Sequence, residues 1–211
     1  EYGHENRDQI FKNLNLKINK GLFTAIIGDS GIGKSTFIDL LSGFIIPNSG
    51  SITIDNKHDI KNNIHSWQNN IAYTPQNIII LNSSIINNII VGRDMHNVDQ
   101  NKLNLAIFIS GLENLIKELP QGLNTELGEL GNNLSGGQKQ RLGIARAIYK
   151  DKKVLFFDEA TNALDDQTNN LILSRIKNYL DKENKTVVFV SHNNLIKKYA
   201  NEIIDLNNLT K

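Results

Sequence analysis

Residues 28–36, reading Gly-Asp-Ser-Gly-Ile-Gly-Lys-Ser-Thr, combine the residue types needed to hold a chain of phosphates. Gly28, Gly33, Lys34 and Ser35 fall at the defining positions of the pattern G-x-x-x-x-G-K-[ST]. Glycine lets the backbone wrap an anion without Cβ clashes, so that several N–H groups of Asp29, Ser30, Gly31, Ile32 and Gly33 point inward at one ligand. Lys34 adds a positive charge near the β- and γ-phosphates. The Ser35 hydroxyl, followed by Thr36, is placed to ligate Mg²⁺.

A loop of this kind needs a strand to deliver it and a helix to back it. Phe23-Thr-Ala-Ile-Ile27 is a short apolar run ending at Gly28, as expected of a buried parallel strand. Phe37, Leu40, Leu41 and Phe44 then recur at helical spacing, which puts the loop at a helix N-terminus whose partial positive charge favours phosphate. Upstream, Phe11, Leu14, Leu16 and Ile18 read as a strand, and Ser51–Asp55 as a short alternating one. Residues 56–70 are polar and read as a loop, with Trp67 the exception. Ile71–Thr74 is again strand-like and ends at Pro75-Gln76. From Asn77 to about Lys139 the periodicity is helical, carried by Leu105, Ile109, Leu112, Leu115, Ile116 and Leu119, and reads as a lobe inserted into an α/β core. Strand texture returns at Val154–Phe157 and at Thr186–Val190, with a helix between them marked by Ile172, Ile176 and Leu180. Alternating strands and helices imply parallel βαβ units, with ligand chemistry gathered at the C-terminal ends of the strands.

Composition narrows the class further. At 211 residues the chain is long enough for one large domain with a sizeable core. Its 23 basic and 22 acidic residues leave a net charge of +1, which gives no electrostatic case for nucleic acid as a partner. There is no cysteine, which excludes disulfides and thiolate metal sites. The first residues, EYGHENRDQIF, contain no apolar signal-peptide core, and no stretch approaches the roughly 20 apolar residues needed to span a bilayer.

Three further motifs join the phosphate loop. They are Leu134-Ser-Gly-Gly-Gln138 continuing as Lys-Gln-Arg-Leu-Gly-Ile-Ala-Arg146, Val154-Leu-Phe-Phe-Asp-Glu159, and Val190-Ser-His192. In this order they resemble the signature motif, Walker B strand and switch histidine of ATP-binding cassette (ABC) proteins, and the resemblance runs from about Tyr2 to Asn207. It implies an α/β fold: a P-loop NTPase core with a parallel sheet flanked by helices, an antiparallel β subdomain and an inserted α-helical signature subdomain. Residues 1–76 and about 140–211 would form the ATPase core, and about 77–139 the helical lobe.

The resemblance also assigns roles, each with a physical basis. Asp158, ending a buried strand beside the phosphate loop, would hold Mg²⁺ together with Ser35 and Gln76. Glu159 would orient and polarise the water that attacks the γ-phosphate, and His192 would bond that phosphate and help align both. Gln76, at the junction of core and lobe, would contact Mg²⁺ and the attacking water. Tyr2 occupies the place of the aromatic that stacks on adenine, with one extra residue before Phe11. Ser135, Gly136, Gly137 and Gln138 would cover the ATP held by a second copy of the chain, and Asn162, Ala163, Leu164 and Asp165 would form the D-loop crossing to that copy. ATP and Mg²⁺ are the implied cofactors, and a head-to-tail homodimer the implied assembly. His4, His58, His65 and His96 lack comparable context and read as surface residues, while Trp67 reads as packing.

Among members of the family, Thr125-Glu-Leu-Gly-Glu-Leu-Gly131, Pro120-Gln-Gly-Leu123 and Ile85-Ile-Asn-Asn-Ile89 follow the exporter pattern, with Leu130 replacing the usual arginine and Asn87 the usual glutamate. Soluble ABC ATPases typically carry long coiled coils or a second cassette. The resemblance therefore implies transmembrane domains fused N-terminally, a location on the cytoplasmic face of the cell membrane, and a short membrane-domain helix docking near Gln76. The Asn-rich composition, intact sites and short C-terminal tail resemble the bacterial flippase for lipid-linked oligosaccharides of protein N-glycosylation. Multidrug and lipid exporters share the same motifs.

Overall fold

The computed structural model describes residues 10–209. Five strands form one parallel sheet in the order β4 (Ile71–Thr74), β5 (Val154–Asp158), β6 (Thr186–Val190), β1 (Phe23–Ile27) and β7 (Glu202–Asp205). The first four carry the apolar runs that the sequence marks as buried strands, and alternate side chains go to opposite faces. Phe23, Ala25, Leu155, Phe157, Val187 and Phe189 enter one hydrophobic cluster, while Ile26, Phe156, Val188 and Val190 enter another on the opposite face. Phe23, Phe189 and Phe157 stack in a row across the first face, at centroid separations of 6.0 and 5.2 Å. Each such buried side chain contributes roughly 1.5–3 kcal/mol.

Register fixes the edge on which function can be built. Asp158 pairs with Val190, and Val190 with Ile26, so the C-terminal ends of β5, β6 and β1 lie level. The chain leaves each strand within two residues of that level. Gly28, Glu159 and His192 are thus delivered to one edge from positions far apart in the sequence.

Helices cover both faces. Helix α1 (Lys34–Ser42) packs with the second cluster, and α6 (Gly136–Tyr149) and α7 (Asp166–Glu183) with the first. A small antiparallel pair, β2 (Thr53–Ile54) with β3 (His58–Asp59), precedes α2 (Ile64–Gln68). Between β4 and α6 come α3 (Ile85–Ile89), α4 (Gln100–Ser110) and α5 (Glu113–Glu118), with α4 lying along α6.

Four local expectations change. Phe44 lies beyond α1, because Gly43 ends that helix in a left-handed conformation; Phe44 is exposed and meets Tyr73 edge-on. Residues 11–18 belong to neither sheet, although Leu14, Leu16 and Ile18 do turn inward, so their alternation reports burial rather than pairing. The polar stretch 56–70 holds β3, a 3-10 turn and α2, whose Trp67 donates to the Leu41 carbonyl at 2.8 Å and packs on Phe156, as its packing role requires. Strand β7 has no counterpart in the sequence reading, because its two isoleucines are flanked by Glu202 and Asp205 and form neither an apolar run nor an alternating pattern. His58, His65 and His96 are exposed, as expected.

Helix α6 approaches β4 closely at Gly143. A Cβ there would lie 2.5 Å from Ile78 Cδ1 and 3.1 Å from Thr74 Cγ2. Gly143→Val is expected to lower stability by about 1–3 kcal/mol through overpacking, and thermal denaturation should show the midpoint falling by several degrees. An unchanged midpoint would remove the case for close packing at this crossing.

Candidate functional site

Helix α1 begins at Gly33, whose φ of 103° lies in the left-handed region and whose absent side chain leaves room for Ile10 and Phe11; a Cβ would meet Ile10 Cγ2 at 2.6 Å. No side chain caps this end and no acidic residue sits in the first turn. The first N–H groups of the helix therefore face outward unpaired, a ready anion site. Lys34 is buried against the loop, its ammonium donating to the carbonyls of Gly28 and Asp29, both at 2.9 Å. Ser30, Gly31, Gly33, Lys34, Ser35 and Thr36 form one wall of a cleft of about 680 Å³, and Gln76, Glu159 and His192 form the other.

The Glu159 carboxylate is the centre of the second wall. Oε2 accepts from Gln76 Nε2 at 2.8 Å and from Asn162 Nδ2 at 2.6 Å, while Oε1 lies 3.7 Å from His192 Nδ1. The side chain is 16% exposed, whereas His192 is 61% exposed. Asn162 Nδ2 also lies 3.3 Å from His192 Nδ1. Glu159 itself has φ 50°, a left-handed conformation that costs a residue with a Cβ on the order of 1–3 kcal/mol. Its N–H donates to the Val190 carbonyl at 3.0 Å, and its own carbonyl accepts from Asn162 N at 3.2 Å and Gln140 Nε2 at 3.2 Å. These bonds hold the strained residue so that its carboxylate faces the phosphate loop. Replacing Asn162 with alanine removes one of the two amides on Oε2. Hydrolysis of ATP is expected to slow roughly tenfold on general acid–base grounds, with nucleotide affinity unchanged; equal turnover in a steady-state assay would show that Gln76 alone suffices.

Below Glu159 lies a polar trio. Asp158 is buried, with Oδ2 3.5 Å from the Tyr73 hydroxyl, which also reaches Asp39 Oδ1 at 3.4 Å. Burial raises the Asp158 carboxyl above its ordinary range; the neighbouring Glu159 and Asp39 charges add to this, and the Ser35 and Tyr73 hydroxyls oppose it. Burial raises Asp39 and Tyr73 as well. Asp158 Oδ1 is buried and has no hydrogen-bond partner. An unsatisfied buried carboxylate oxygen costs about 1–3 kcal/mol or more, a penalty that a cation held by Asp158 and Ser35 would offset. The residues therefore fit Mg²⁺, which takes one or two carboxylates plus substrate phosphate oxygens rather than an all-protein cage.

The signature residues lie elsewhere. Ser135 caps α6 by accepting from Gln138 N at 3.2 Å, while Gln138 Oε1 accepts from Ser135 N at 2.8 Å. None of Ser135, Gly136, Gly137 and Gln138 lines the cleft. The glycines face the D-loop of their own chain instead: a Cβ on Gly137 would lie 3.0 Å from both Ala163 O and Leu164 Cδ2. Asp165 caps α7, accepting from Thr168 N at 2.9 Å. Tyr2 and His4 lie outside the described residues.

Sequence reasoning did not single out Asp39, Tyr73 or Gln140, nor the contact of Asn162 with its own chain's Glu159. Gln140 was within reach, because it follows Gly136 and Gly137 at helical spacing and so shares their face. Tyr73 and Asp39 belong to different elements, and nothing local links them.

A profile of the ABC transporter family matches residues 11–162. The chain belongs to this family. It is 40% identical over 200 residues to the alpha-hemolysin translocation ATP-binding protein HlyB of Escherichia coli O157:H7, covering 94% of the chain and 28% of that protein. It is 33% identical over 192 residues to the ATP-dependent lipid A-core flippase of Ralstonia nicotianae, covering 90% of the chain and 32% of the flippase. Among solved structures it resembles a bacterial Atm1-family ABC exporter with ATP bound, with a TM-score of 0.89 and 34% identity, over 97% of the chain and 35% of the exporter. The chain thus spans about a third of the length of these relatives, and its similarity is to the exporter branch of the family. The α/β core with its parallel sheet, flanking helices and small antiparallel sheet agrees with the fold expected from the sequence.

Proposed function

We propose that this chain is the ATP-hydrolysing domain of a membrane exporter. One observation carries the reading: the phosphate loop, Gln76, Glu159 and His192 converge on one cleft, with two amides and an imidazole gathered round a single carboxylate. The loop N–H groups, the start of α1 and Lys34 bind the triphosphate. Ser35, Asp158 and Gln76 would hold Mg²⁺, which would supply positive charge to offset that of the phosphates. Glu159 accepts a hydrogen bond from water in line with the γ-phosphorus, His192 contacts the γ-phosphate, and the P–O bond to ADP breaks as the water oxygen adds.

The same reading takes the working form to be two copies arranged head to tail. Ser135–Gln138 lie outside the cleft of their own chain, at the start of a 14-residue helix whose N–H groups suit a phosphate. Asn162–Asp165 pass between the two copies. Residues 77–139 act as the lobe that carries the signature, docked to transmembrane domains on the cytoplasmic face of the cell membrane. Among the described residues no helix is long and apolar enough to cross a membrane.

Cargo is the finer step. The sequence resemblance favours a lipid-linked oligosaccharide, and relatives named for a haemolysin and for lipid A-core use closely similar domains. The first experiment is steady-state release of phosphate by the purified chain, with its mass in solution measured with and without ATP. Turnover with an ATP-dependent doubling of mass is the expected result. Binding without turnover would leave a nucleotide-gated module, and proteoliposomes of the whole exporter offered labelled lipid-linked oligosaccharide or a lipophilic drug then distinguish the cargo classes.

A further inference from the structure

Gln140 sits one turn into α6 and is 8% exposed. Its two amide atoms reach the same segment of chain: Nε2 donates to the Glu159 carbonyl at 3.2 Å, and Oε1 accepts from Ala163 N at 2.8 Å. This one side chain therefore brackets residues 159–163, from the left-handed Glu159 to the D-loop. The fit is completed by Gly137, whose lack of a side chain lets Ala163 and Leu164 lie against the helix.

We propose that Gln140 is a positioning residue for hydrolysis: it fastens the signature helix to the backbone of Glu159, so that the carboxylate is aligned only while α6 is seated. The proposal rests on the hydrolysis reading above. Glu159 adopts a backbone conformation unfavourable to a residue with a Cβ, and such a conformation persists only where neighbouring bonds over-determine it. The N–H of Glu159 is fixed by β6, through Val190, and its carbonyl by Gln140 and by the turn bond from Asn162. A shift of α6 reaches Glu159 through the Gln140 amide, because the side chain is largely buried with both partners and an amide left unpaired there is costly. Since the N-terminus of α6 faces the second copy's nucleotide in the proposed dimer, the same bond carries the state of one composite site to the carboxylate of the other.

Two variants separate the bonds. Gln140→Leu keeps the bulk and removes both. Gln140→Glu retains an acceptor for Ala163 N–H but, ionised, cannot donate to the Glu159 carbonyl. In the 211-residue chain, both are expected to lower kcat for ATP by roughly 10- to 100-fold, the scale of a misplaced catalytic group, while KM for ATP stays within about twofold. Amide hydrogen exchange at Ala163 should accelerate in Gln140→Leu and stay protected in Gln140→Glu. Should Gln140→Leu fail to fold, the kcat-against-KM split in Gln140→Glu decides. A Gln140→Glu chain with wild-type kcat would overturn the role at Glu159, as would a loss confined to KM. A wild-type chain that binds ATP without turning it over would instead sink the hydrolysis reading and this proposal with it.

Discussion

Glu159→Gln is expected to bind ATP as the wild type does and to hydrolyse it roughly 10²- to 10⁴-fold more slowly, the usual contribution of a positioned general base. The substitution preserves size and the bond to Gln76, but it removes the charge that makes the bonds from Gln76 and Asn162 charge-assisted and that polarises water. In the proposed dimer nucleotide then stays unhydrolysed between two copies, so the ATP-bound dimer should persist on a sizing column while the wild-type dimer decays. Near-normal phosphate release by the variant would remove Glu159 from the base role and turn attention to His192 on the same wall of the cleft.

Gly137→Asp should have the second-largest effect, on closure rather than on binding. A carboxylate at the first turn of α6 suits the helix dipole of its own chain, but in the proposed dimer it repels the γ-phosphate of the other copy's nucleotide. Monomer affinity for ATP should be unchanged, with ATP-dependent dimerisation lost and turnover down by about 10²-fold, the scale of removing one transition-state donor. A Cβ at this position also presses on Ala163 O and Leu164. Gly137→Ala is therefore the control, and it should retain more dimer than the aspartate. If the aspartate abolished nucleotide binding by a folded monomer, the signature would be acting within its own chain. Ser135→Ala is a poorer probe, because Ser135 caps α6 and its removal costs about 1 kcal/mol of helix stability regardless of any ligand.

The network on Arg146 shows how the cleft and the signature helix share one mechanical frame. From α6 the guanidinium donates to the Asn88 carbonyl, the Asn88 side chain and the Ile79 carbonyl, each at 2.6 Å. Asn88 is fully buried and itself bonds Leu81, Ser83 and Ser84. The segment that follows Gln76 is thereby pinned to the helix that begins at Ser135. Movement of that helix has two routes into the cleft, one through Gln140 to Glu159 and one through Arg146 toward Gln76.

Much of this was legible in the linear chain. The phosphate loop, Asp158-Glu159, His192 and the signature are contiguous motifs, and apolar runs of five residues specify buried parallel strands almost by themselves. What the sequence alone determined was therefore the cradle, the carboxylates and the order of the core elements. The tertiary structure decided which of these meet. Strand register levelled Asp158, Val190 and Ile26, and so brought Glu159 and His192 to the phosphate loop. It joined Asp39, Tyr73 and Asp158 from three separate elements, and Gln140 with Glu159 across 19 positions. It also kept Ser135–Gln138 outside their own chain's cleft, as the proposed head-to-tail dimer requires. The physical reason is range. Backbone wrapping and hydrophobic periodicity act over a few residues and leave their mark locally, whereas a hydrogen bond between distant side chains exists only once the sheet has fixed where each strand ends.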